Sequence, residues 1–132
     1  MIGLVVVAHA QLAAELINAA EMIVGPLDGA VAVEIRPDDS VETIRGALTT
    51  AMEAVAADSI IIMTDMFGGT PSNMSLSFLE DNRVEVLTGV NLPMLIKFAS
   101  DRNRMAVAEL AAQIRDCGRD GVTVAGDYLK KK

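Results

Sequence analysis

The chain has 132 residues, enough for one compact domain with a real core and too few for two. It is 52% apolar but only 3% aromatic, so its core must be built from Val, Ile, Leu, Met and Ala. A net charge of −7 excludes a basic stripe for a nucleic-acid backbone, and the terminal Lys130-Lys131-Lys132 reads as a solvated tail.

The single cysteine, Cys117, excludes an internal disulfide framework and fits a reducing compartment. The N-terminus lacks the positive segment of a signal peptide, and no stretch approaches the roughly 20 apolar residues of a membrane span. A cytoplasmic protein is the expectation.

Ile2 to Ala8 is a continuous apolar run rich in Val, the pattern of a strand covered on both faces, and His9 follows at its carboxyl end. Leu12, Leu16, Ile17, Ala20 and Ile23 then recur at helical spacing until Gly25-Pro26 stops the helix. Ala30–Ile35 reads as a second strand. Asp39 or Ser40 can cap the next helix, whose buried stripe is Val41, Ile44, Leu48, Met52 and Val55.

Ser59 to Thr64 is the third strand, and a helix is expected from Pro71 to about Glu80, with Thr70 as its cap. Arg83 to Thr88 is the fourth strand. Helical pieces follow near Met94–Ala99 and Met105–Cys117, then a turn bracketed by Gly118 and Gly121. Val122 to Ala125 is a candidate for a late strand.

This alternation predicts an α/β fold, a doubly wound, mostly parallel sheet within a single domain spanning residues 1–132. Right-handed crossovers and the chain length favour the order 2-1-3-4, which makes the first and third strands neighbours at the switch point. Ligands of such sheets bind beyond the carboxyl ends of the strands. His9, Asp65 and Asn91 are therefore expected to meet in one crevice.

The stretch Thr64-Asp65-Met66-Phe67-Gly68-Gly69-Thr70-Pro71-Ser72-Asn73 ends a strand in a carboxylate, turns through two glycines and opens a helix. Gly68 and Gly69 allow close backbone approach by a ligand, and Thr70 and Ser72 offer hydroxyls to an anion such as phosphate or serve as caps. The pattern is neither a P-loop nor a dinucleotide fingerprint. His9, the only histidine, could act beside Asp65 as a base or as a nucleophile, whereas Asp65 could equally do no more than open its turn. One histidine and one distant cysteine make no metal cluster.

Taken together, Ala8-His9, the stretch from Thr64 to Asn73, and Gly89-Val90-Asn91-Leu92-Pro93-Met94-Leu95 closely resemble the EIIA component of the mannose-family phosphotransferase system. The similarity runs from about Ile2 to Gly121. It implies that His9 takes a phosphoryl group from phospho-HPr and passes it to a histidine of an EIIB partner, without a cofactor or metal. Asp65 would orient His9, and Gly68, Gly69, Thr70 and Ser72 would hold the phosphoryl oxygens. The membrane components EIIC and EIID would be met only indirectly.

The resemblance also implies a homodimer in which the strand near Val122–Ala125 is exchanged as a C-terminal edge strand. Ala10 follows His9 where many relatives have glycine. The chain ends at Lys132 without a fused EIIB, so a separate EIIB polypeptide is expected. Three other readings stay open on the residues: a regulatory module reporting phosphorylation state, the phosphocarrier subunit of a dihydroxyacetone kinase, and an anion-binding domain without turnover.

Overall fold

The computed structural model describes residues 1–66 and 70–130, with Pro71 as backbone only. Its elements in chain order are β1 (Ile2–His9), α1 (Leu12–Val24), β2 (Ala30–Ile35), α2 (Val41–Val55), β3 (Ser59–Thr64), α3 (Thr70–Leu76), β4 (Val84–Thr88), α4 (Leu92–Asp101), α5 (Val107–Asp120) and α6 (Ala125–Lys130). Four parallel strands pair in the order β2-β1-β3-β4, as the strand–helix alternation predicts.

Side-chain alternation sorts the strand residues onto two helical layers. Leu4, Val6, Ala8, Ile61 and Met63 face α1, α4 and α5 through Ala13, Ile17, Ala20, Leu95, Phe98, Leu110 and Ile114. Val5, Val7, Ile60, Ile62, Val33 and Ile35 face α2 through Ile44, Leu48, Ala51 and Val55. Met74 of α3 and Phe78 just beyond it pack on this second layer. His9 continues the phase of Val5 and Val7, and Thr64 that of Ile60 and Ile62, so both belong to the α2–α3 side.

Local chemistry sets the helix boundaries. Ser40 is the cap of α2, its Oγ accepting the Thr43 N–H at 3.1 Å, while Asp39 accepts the Arg36 N–H at 2.8 Å and closes the turn before it. The two candidates for that cap thus divide the work. Gly25, at φ +86°, ends α1.

Three segments depart from the sequence reading. Thr70 is the first residue of α3 rather than its cap, and α3 ends at Leu76 rather than near Glu80. Beyond it, Ser77, Phe78 and Leu79 donate to Met74, Ser75 and Leu76, which is the tighter i→i−3 pattern. The helix expected to stop at Cys117 continues through Gly118 to Asp120.

The late strand is absent from the sheet of the lone chain: 122–124 has no regular structure, and Ala125 begins α6. Val122 and Val124 have strand-forming side chains, yet both are exposed and, among the described residues, neither is paired in the sheet.

Candidate functional site

The site grows out of the parallel register. Val7 is paired with Thr64 and His9 with Ile35, so the residue after Thr64 comes level with the end of β1. Asp65 stands there. Its Oδ2 accepts the His9 backbone N–H at 3.0 Å and lies 2.8 Å from His9 Nδ1. A carboxylate oxygen can only accept, so the proton of the neutral imidazole sits on Nδ1 and Nε2 keeps its lone pair.

The exposures differ in a useful way: the His9 side chain is 53% exposed, whereas that of Asp65 is 12% exposed. A covered carboxylate thus holds the inner edge of the ring while the outer edge meets solvent. Burial pushes the Asp65 carboxyl upward, but the backbone bond, ring bond and charge of His9 outweigh it and hold the group below its ordinary value.

Ala10, immediately after His9, has φ +53°, and its N–H donates to Ile35 O at 2.9 Å. This left-handed turn carries the chain from β1 into α1. It accounts for glycine being suited to the position, which sequence alone left as a minor difference.

Beside the ring lies an open recess of about 410 Å³ lined by His9, Ala10, Ile35, Arg36, Pro37, Asp39, Ile44 and Thr70. Thr70 therefore shares the recess with His9. Ser72, by contrast, is fully buried and its Oγ has no hydrogen-bond partner among the described residues. Gly68 and Gly69 lie outside the described residues.

Asn91 does not join the crevice. Its Oδ1 accepts the Met94 N–H and its Nδ2 donates to Gly118 O at 2.9 Å, so both ends of the amide tie α4 to α5. The recess wall formed by Arg36, Pro37, Asp39 and Ile44 was missed by motif reading. Its signal was available: a β2 strand lying parallel to β1 and ending level with His9 must deliver its following loop to the same place.

Among the described residues no group of three or more His, Cys, Asp or Glu side chains is arranged to hold a metal ion. No described helix is long and apolar enough to cross a membrane.

The fold is thus a 2-1-3-4 parallel sheet with a carboxylate-held histidine at the switch point. A family model described as the PTS system fructose IIA component matches residues 3–115, and the chain belongs to this family, EIIA-man, of phosphotransferase-system components. The fructose-specific EIIA component of Bacillus subtilis (strain 168) is 27% identical over 133 residues, covering 99% of this chain and 91% of that one. The sorbose-specific EIIA component of Lacticaseibacillus casei is 30% identical over 112 residues, covering 84% and 81%. The crystal structure of an EIIA component from Streptococcus agalactiae superimposes with a TM-score of 0.87 at 26% identity, covering 96% of this chain and 99% of that chain.

Proposed function

We propose that this EIIA component is a phosphohistidine carrier: His9 Nε2 accepts a phosphoryl group from phospho-HPr and yields it to an EIIB protein. One observation carries the reading. The 2.8 Å contact between Asp65 Oδ2 and His9 Nδ1 fixes the ring with its free nitrogen on the exposed side.

In the step, the Nε2 lone pair attacks phosphorus in line with the departing donor nitrogen. The new N–P bond forms as the donor's N–P bond breaks, and the Nδ1 proton stays in place. The ring gains positive character as the bond forms, and the Asp65 carboxylate behind it stabilises that charge. No proton needs to leave Nε2, which is why the tautomer matters. Thr70, lining the recess with His9, supplies a hydroxyl to a phosphoryl oxygen, and Gly68 and Gly69, which lie outside the described residues, are proposed for the other oxygens.

The test is incubation with phosphoenolpyruvate, Enzyme I and HPr, followed by intact-mass measurement. One acid-labile phosphoryl group per chain is expected, with none on His9→Ala. Absence of labelling with a cognate HPr would overturn the reading.

The working unit in this reading is a cytoplasmic homodimer. Val122, Val124, Tyr128 and Leu129 are exposed, and among the described residues the outer edge of β4 carries only an isolated Glu80–Val84 bridge. Both features favour pairing of the C-terminal segment with a second copy. Light scattering should give twice the chain mass, and a chain ending at Gly121 should give the monomer mass. Equal masses for the two would remove this part of the proposal.

A further inference from the structure

The transfer step leaves three buried oxygens unused. Thr64 Oγ1, Asp65 Oδ1 and Ser72 Oγ are each shut off from solvent and have no hydrogen-bond partner among the described residues. Thr64 and Ser72 are fully buried residues. An idle buried polar group costs about 1–3 kcal/mol, so three of them call for an explanation.

Their placement supplies one. Thr64 is the last residue of β3, on the layer that α3 covers, and its backbone carbonyl is already engaged by the N–H groups of Gly89 and Val90. Asp65 follows it in the chain. Ser72 lies on α3, which packs on β3 and β1 on that same layer. The capacities are complementary: two hydroxyls can donate, and Oδ1 can only accept.

We infer that Thr64 and Ser72 are positioning residues for the transfer site, their hydroxyls holding Asp65 Oδ1 across a shared water while Oδ2 holds His9. A carboxylate gripped at both oxygens cannot turn about its last torsion, so the imidazole it carries keeps one azimuth. The hydroxyls also draw charge toward Oδ1, which moderates the pull of Oδ2 on the ring proton and keeps that proton on Nδ1. This assignment gives Ser72 a place behind the carboxylate rather than on the phosphoryl group, and it rests on the reading of His9 as the acceptor.

The test uses the full chain with Thr64→Val and Ser72→Ala, alone and combined, and Thr64→Ser as the conservative control. In the unphosphorylated protein, proton and nitrogen NMR should show the His9 Nδ1–H resonance displaced in each hydroxyl-deleting variant and returned in Thr64→Ser. With phospho-HPr as donor, kcat should fall about fivefold for one deletion and about tenfold or more for both, with KM for the donor unchanged.

Idle hydroxyls would behave oppositely: Thr64→Val and Ser72→Ala would raise the unfolding midpoint and leave the resonance and kcat where they were. That result overturns the inference. Should Thr64→Val not fold, Ser72→Ala decides by the same resonance and rate. Because the NMR signature needs no phosphoryl donor, failure of wild-type labelling would count against the carrier reading alone.

Discussion

The substitution Asp65→Asn separates the charge of the orienting group from its shape. In the wild-type chain one oxygen, Oδ2, takes both His9 bonds, at 3.0 Å from the backbone N–H and 2.8 Å from Nδ1. Hydrogen bonds to a charged acceptor contribute about 1.5–3 kcal/mol, against about 1 kcal/mol for a neutral one. The ring is half exposed, so solvent screens part of that difference, and about 1.4 kcal/mol of transition-state stabilisation is a fair figure. This corresponds to about a tenfold slower phosphorylation of His9.

That figure applies if the asparagine oxygen takes the place of Oδ2. An amide that turns its NH₂ toward Nδ1 would instead favour the tautomer with the proton on Nε2, removing the nucleophile and slowing transfer by a further large factor. Rapid-quench measurement of His9 phosphorylation, with circular dichroism to verify the fold, tests the argument. A variant within twofold of the wild-type rate would refute it and leave Asp65 as a turn residue.

The same pair predicts an acid signature. The Asp65 carboxyl is held below its ordinary value, so its contribution to stability is present above about pH 4 and is lost as pH falls through the folded-state value. The stability gap between wild type and Asp65→Asn, read by urea denaturation, should therefore shrink as pH falls below about 4, and a gap constant down to complete acid unfolding would contradict this.

Gly3→Ala should destabilise by about 2 kcal/mol, because its Cβ would lie 1.9 Å from Val55 Cγ1 and 3.1 Å from Ala57 Cβ. Adding Val55→Ala should recover much of that loss, and strict additivity of the two would count against it.

Arg102→Lys should cost about 2–3 kcal/mol in urea denaturation, since the guanidinium binds Ile2 O through Nε and Nη2, binds Asp28 O through Nη1 and lies 4.8 Å from the Phe98 ring centre. An unchanged midpoint would show the staple to be dispensable. Ala10→Gly should gain about 0.5 kcal/mol by releasing the left-handed backbone at φ +53°, offset in part by chain entropy, and should leave the phosphorylation rate unchanged.

How far the sequence disclosed all this depends on whether a signal was carried by neighbours along the chain or across the sheet. The strand order was legible because Val5 to Val7 and Ile60 to Ile62 are buried on both faces, which only central parallel strands require. His9 and Asp65 were legible because strands one and three must be adjacent in the order that follows. The recess wall was not: nothing local to Arg36, Pro37 or Asp39 distinguishes an ordinary turn from the side of a recess, and only the His9–Ile35 register makes the difference.

Asn91 misled for the converse reason. Its position after β4 matched a site residue, but both ends of its amide are consumed by α4 and α5. The segment from Val122 to Val124 has no regular structure in the single chain, because a strand needs a partner edge to supply its ladder bonds. What separates His9 from these cases is an unused valence. Both ends of the Asn91 amide are spent, whereas His9 Nε2 has no hydrogen-bond partner among the described residues and Asp65 holds the ring from the other side.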